Sequence, residues 1–169
     1  MVIRHVILSG ILIILTTSAG FFIDQNFGVS WTPEGSVPEL STMDIFLTNF
    51  KTISIISLLS ILGMPGLFVA LSTAFDVGIG ISRINRYYHT PITDITFKIL
   101  PHGIGEFAAL SLATSHSIRI LKIWHDYFRY KIENPQDEIV NEIFSIFDTV
   151  LVSIPLLSLS AIIETYLYG

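Results

Sequence analysis

The sequence predicts an all-α fold, a polytopic membrane helical bundle with kinked or broken helices and one amphipathic interfacial helix. Apolar residues make up 51% of the 169 residues and charged residues only 14%, whereas soluble globular chains carry about 25% charge. Mean hydropathy is +0.67, and several uncharged stretches approach the length of about 20 residues that a helix needs to cross a bilayer. The net charge of −5 gives no basic surface, so we expect no nucleic-acid partner.

We predict one integral membrane domain, residues 1–169, with four membrane-spanning helices. Their approximate bounds are 6–23, 52–75, 99–118 and 143–163. The first stretch is uncharged between Arg4 and Asp24. A cleavable signal peptide is a weaker alternative there, because the leader has Arg4 as its one basic residue and the apolar run continues to Ile23.

The second stretch is too long for a straight crossing. Residues 52–75 contain no charge, and 24 residues at 1.5 Å each exceed a hydrocarbon core of about 30 Å. Pro65, between Gly63 and Gly66, removes a helix hydrogen bond near the middle of the stretch. A single kinked helix is favoured, and a broken, partly re-entrant helix is the alternative.

An amphipathic stretch runs from Ser117 to Glu133. Its charged residues recur every three or four positions and therefore share one helical face. They are Arg119, Lys122, Asp126, Arg129 and Glu133, with Ile120, Leu121, Trp124, Tyr127 and Phe128 on the other face. The stretch either lies in the membrane interface or extends a spanning helix and packs on its own domain.

Charge also predicts orientation, because lysine and arginine collect in cytoplasmic loops. Residues 24–50 hold four acids and no lysine or arginine, which predicts an external segment. Arg4 and the loop around Arg83 are then predicted inside, and the default is four spans with both termini inside. Four spans place the basic residues that follow 99–118 on the external side, which conflicts with the preference of lysine and arginine for the cytoplasm. The conflict disappears if 99–118 is re-entrant or if the second stretch crosses the membrane twice.

Ionisable residues inside the predicted spans are candidate functional residues, since an isolated charge at the bilayer centre costs about 2.5 kcal/mol or more. His102 and Glu106 are one helical turn apart, and Pro101 suits the first turn of their helix. The candidate intramembrane polar cluster comprises Pro101, His102, Gly103, Glu106, Asp76 and Glu164. It suits a proton relay, or hydrogen bonding between helices, which is slightly favoured. We predict no metal site, because no third ligand lies at a recognised interval. We also predict no catalytic residue and no cofactor.

The segment Leu100–Leu110 resembles the stage II sporulation protein M family, which carries a Pro-His-Gly-x-x-Glu string followed by small and apolar residues. Thr48-Asn49-Phe50, the glycine-containing Phe75–Gly80 and the terminal Ala161–Glu164 agree with it, so the resemblance covers Thr48 to Gly169. Where the family usually has an Asn-Gly pair, this chain has Asp76 and Val77.

The resemblance implies a multi-pass protein of a prokaryotic plasma membrane, without an established chemistry. No phosphate-binding glycine loop, nucleophile elbow or HExxH string occurs in the sequence, so we do not expect an enzyme. We expect a scaffold or accessory subunit of a membrane complex, whose partners are the lipid bilayer and other membrane proteins or further copies of the chain. The alternatives are a bacteriocin production and self-immunity protein that uses the acids of residues 24–50, and a transporter for a small solute, proton or ion.

Overall fold

The structure is a computed structural model that describes residues 2–28, 41–89 and 91–168. These residues form five helices and no strand. The helices are α1 (Val2–Phe27), α2 (Thr42–Ser60), α3 (Met64–Tyr88), α4 (Ile92–Phe128) and α5 (Gln136–Tyr168). All except α4 are long and apolar enough to cross a membrane. The predicted all-α polytopic bundle is confirmed.

The predicted span 52–75 is wrong as a single kinked helix, because the chain turns back within it. Helix α2 ends at Ser60, three residues form a turn, and α3 begins at Met64. Gly63 in the turn has a φ of +72°, a left-handed conformation that glycine adopts readily. Pro65 then occupies the first turn of α3, where its missing N–H costs nothing. The second stretch therefore contains parts of two helices, which agrees with one of the two alternatives that the charge pattern left open, an extra pass within this stretch.

Helix α4 lies at the centre of the bundle. Within the described ranges it is the one helix that contacts all four others. The others surround it in the order α1, α3, α2 and α5, and no described residue of α1 contacts α5. The side chains of Ala109, Ala113, Thr114 and Ser117 are fully buried. A helix too polar for lipid is accommodated because protein surrounds it.

Successive helices alternate in direction. Asn49 of α2 bonds Glu106 of α4, and Ser60, further along α2, bonds Ser117, further along α4. These two helices are therefore parallel. The intervening helix α3 is antiparallel to both, since a short turn joins it to each. Five alternating helices place the two chain termini at opposite ends of the bundle. Four of the helices are long and apolar enough to cross a membrane, as predicted in number, but their bounds differ from the predicted spans, and the sides of the membrane on which the termini lie stay a prediction.

Seven of the nine basic residues lie at one or the other end of the bundle. The end where α1 begins and α4 finishes holds Arg4, Arg119, Lys122, Arg129 and Lys131. Arg83 and Arg86 lie at the other end, beside Asp24. Arg4 and Arg83 thus lie at opposite ends of the bundle, whereas the sequence predicts both on the cytoplasmic side.

Helix α1 packs closely along α3. A Cβ on Gly20 would collide with the carbonyl oxygen of Phe75, and a Cβ on Gly78 would collide with that of Thr17. Small residues at these two positions allow the backbones to approach, as is common between membrane helices.

Helix α4 is longer at both ends than the predicted span 99–118. Its 37 residues extend for about 55 Å, well beyond a hydrocarbon core. Pro101 lies inside α4 and not in its first turn, which corrects the prediction, because the helix begins directly after Pro91. The amphipathic stretch to Phe128 is the end of α4, and Ile120 and Ile123 are buried. The stretch thus extends a helix of the bundle and packs on it at Ile120 and Ile123, whereas Trp124, Tyr127 and Phe128 are exposed, and a place in the membrane interface stays a prediction.

Candidate functional sites

Three of the bundle's helices bring polar side chains together around Glu106. The amide of Asn49, on α2, donates a hydrogen bond to the Glu106 carboxylate on α4. Gly105, next to Glu106, lies against the Ser160 hydroxyl of α5, and Glu164 follows Ser160 by one helical turn. The bonded partner of Glu106 is thus Asn49, which the residue spacing did not identify. A functional role for this cluster stays a prediction.

The other members of the predicted cluster are distributed differently. Asp76 is exposed on α3, and Pro101 is exposed on α4. Gly103 is half-buried. The side chain of His102 lies outside the described residues, so the predicted contact between His102 and Glu106 is untested. The structure therefore does not gather Asp76 with Glu106.

A second polar cluster, which the sequence analysis missed, lies between α4 and α5. His116 Nδ1 bonds a carboxylate oxygen of Glu142, and His116 Nε2 lies 2.8 Å from the Thr149 hydroxyl. Arg119 lies 2.6 Å from the other carboxylate oxygen of Glu142. His116 and Glu142 are both 2% exposed. Every member has a partner, which is the condition for keeping ionisable groups in a protein interior.

A cleft of about 230 Å³ opens beside this second cluster. It lies where α1 begins and α4 ends, in the gap between α1 and α5. Its lining is His5, Arg119, Lys122, Ile123, Glu138, Asn141 and Glu142. Both signs of charge are present, so the lining does not select a ligand by charge. Among the described residues, no group of three or more His, Cys, Asp or Glu is placed to hold a metal ion.

Asp24 joins α1 to α3 at the other end of the bundle. Its carboxylate is 5% exposed and accepts hydrogen bonds from the Ser82 hydroxyl, at 2.7 Å, and from the Arg86 guanidinium. Arg83 lies 3.6 Å away. Asp24 therefore neutralises basic side chains of its own chain.

The other acids predicted to face an external peptide give little free charge. Asp44 forms a capping box with Ser41 at the start of α2, where its carboxylate accepts from the Ser41 N–H. Glu34 and Glu39 lie outside the described residues.

Lys51 and Asp76 are charged, exposed and without a partner in the part of the chain that the structure describes. Lys51 is the central residue of the 19-residue α2, and Asp76 is the central residue of the 25-residue α3. The predicted span 52–75 begins directly after Lys51 and ends directly before Asp76. Because both charges lie at helix centres, the limits of that span matched no helix end. Both side chains face outward from apolar helices.

These two charges also lie at the same depth. Ser60 of α2 and Gly66 of α3 both lie against Ser117 of α4. Lys51 is nine residues from Ser60, and Asp76 is ten residues from Gly66. At 1.5 Å per residue both lie roughly 14–15 Å from that common level. This is about half the thickness of a hydrocarbon core of about 30 Å.

The fold and these sites define a polytopic helical membrane protein in which four apolar helices surround a polar central one. Residues 4–167 match the family described as Stage II sporulation protein M. The match covers nearly the whole chain, so the chain belongs to this family. The predicted resemblance is confirmed and extends to α1. No curated protein and no solved structure matches the chain.

Proposed function

We propose that this protein is a scaffold or accessory subunit of a larger complex in a prokaryotic plasma membrane, and that it has no enzymatic activity. The observation that carries the proposal is the pair of unpartnered charges, Lys51 and Asp76, at the centres of two apolar helices. A charge facing lipid at this depth costs about 2.5–3.5 kcal/mol even on the most favourable scale. A neighbouring protein removes that cost by supplying a partner.

Asp76 needs a partner more than Lys51 does. A lysine extends a long apolar stem and brings its ammonium toward the headgroups. An aspartate has a single methylene and cannot reach an interface roughly 14 Å away.

We rank the two alternatives lower. A transporter requires polar groups that face a passage, whereas the polar groups at Glu106 and His116 bond to neighbouring helices. A self-immunity protein that attracts a cationic peptide requires free acids, whereas Asp24 and Asp44 are engaged within the chain.

Photo-crosslinking in native membranes tests the proposed function. A photoreactive residue replaces Ser72, which is exposed one helical turn from Asp76, and in a matched control replaces Leu151, which is 64% exposed on α5. We expect discrete protein adducts from position 72 and none from position 151. An absence of protein adducts at position 72, with both variants in the membrane at equal amounts, contradicts the proposal.

A further inference from the structure

We propose that the partner bound on the α2–α3 face is a second copy of this chain, with Lys51 of each copy paired to Asp76 of the other. This inference rests on the proposed function, since it names the partner of the surface that carries it. The two residues have opposite charge, lie at the same depth and are both exposed. A two-fold axis along the membrane normal preserves depth and makes each contact reciprocal.

The directions of the helices fit this arrangement. Helix α2 is antiparallel to α3 within one copy, and a rotation about the membrane normal leaves helix directions unchanged. Helix α2 of one copy then runs antiparallel to α3 of the second. Ile55 and Ser72 are each four residues from their central charge, toward the turn, and both are exposed. They therefore meet across the same interface.

The surface around Asp76 has room for a second helix. Ser72 and Gly80 are one turn before and one turn after it, and a Cβ on Gly80 would meet nothing within 4 Å. The long Lys51 side chain of the second copy thus has space to reach the carboxylate. Small residues on a membrane helix allow such an approach.

Charge complementarity selects a second copy over another protein. One symmetric dimer forms two ion pairs and leaves neither Lys51 nor Asp76 unpaired in either copy. A different partner would have to present an acid and a base side by side at this one depth. A dimer needs no residue beyond those already on the surface.

Charge exchange between two differently tagged copies tests the dimer. Lys51→Asp gives one copy acids at both positions, and Asp76→Lys gives the other copy bases at both. Each variant alone brings like charges together, which costs several kcal/mol, so its dimer fraction is expected to fall more than about tenfold. Co-expression of the two variants restores complementary pairs, and the mixed dimer is expected to recover to near the wild-type fraction.

Disulfide formation provides the readout, because the chain contains no cysteine. One tagged copy carries Ile55→Cys and the other Ser72→Cys, and oxidation in the membrane is expected to link them. The control combines Leu151→Cys, on α5, with Ser72→Cys, and is expected to give no link. Pairing of Lys51 with Asp76 inside one chain predicts no recovery on mixing, so that result overturns the dimer.

Neutral variants keep the test valid if the charge-exchanged variants do not fold. Lys51→Gln and Asp76→Asn remove the charges without placing like charges together, and we expect both to insert at wild-type levels. Mixing them restores one of the two Lys51–Asp76 pairs, so the mixed dimer is expected to exceed either variant alone but to stay below the wild-type fraction. No gain on mixing overturns the ion-pair basis of the interface.

The adducts from position 72 separate the two proposals. An adduct of twice the 18.9 kDa chain mass that contains peptides of this chain alone supports the dimer. Adducts with a different protein alone overturn the dimer and leave the proposed function in place. An absence of protein adducts overturns both.

Discussion

His116 of α4 and Glu142 of α5 are bonded in the interior of the bundle, where each is 2% exposed. Arg119 bonds the second oxygen of the same carboxylate, and Thr149 bonds the second nitrogen of the imidazole. The contacts therefore hold α4 and α5 in one register. Because burial has removed water from these groups, the loss of one member leaves the others without a substitute partner.

We predict that His116→Ala destabilises the protein by about 3 kcal/mol, because it leaves a buried carboxylate oxygen of Glu142 unpaired. Asp148→Ala is the matched control, since Asp148 is exposed on α5 and has no described partner. It is expected to change stability by less than about 0.5 kcal/mol. Unfolding in detergent, followed by circular dichroism, measures the free energy of unfolding of both variants. A loss for His116→Ala no larger than that for Asp148→Ala would contradict the prediction.

We predict opposite effects for two neighbouring glycines of α3. Gly78→Ala places a Cβ against the carbonyl oxygen of Thr17 and is expected to cost about 1–3 kcal/mol by forcing α1 and α3 apart. Gly80→Ala meets open space within its own chain and, in the monomer in detergent, is expected to be neutral or to stabilise α3 by up to about 1 kcal/mol. The same unfolding measurement compares them. A cost for Gly80→Ala as large as that for Gly78→Ala argues against the close α1–α3 contact.

We predict that Asp24 and Arg86 are energetically coupled. Asp24→Asn leaves the Arg86 guanidinium without its carboxylate and is expected to cost about 2–3 kcal/mol. A double-mutant cycle with Arg86→Gln is expected to give a coupling energy above about 1 kcal/mol. Additive losses would mean that this ion pair does not hold α1 to α3.

Hydropathy predicted the helical membrane fold because lipid-facing residues must be apolar, and four of the five helices follow that rule. It misplaced the boundaries at Lys51 and Asp76, because a charge was treated as the end of a span. Both charges occupy helix centres. A single sequence cannot distinguish a charge at the end of a helix from one that faces a partner at its middle.

The candidate site was predicted only in part, because it depends on contacts between helices distant in the sequence. Spacing along one helix related His102 to Glu106, whereas Glu106 bonds Asn49, 57 positions earlier. Glu142 lies 26 positions from His116 and outside every predicted span, so no local pattern joined them. Such pairs follow from the packing of α4 among its neighbours, which hydropathy does not encode.

The location of the two ends of the chain tests the central claim, that five alternating helices cross the membrane with α4 enclosed. Ile3→Cys and Tyr166→Cys place single thiols at exposed positions near the start of α1 and the end of α5. An impermeant thiol reagent is applied to intact and to permeabilised cells. We expect labelling of Tyr166→Cys from outside and of Ile3→Cys only after permeabilisation, because Arg4 and the basic end of α4 favour the cytoplasm. Labelling of both positions from the same side would contradict the central claim.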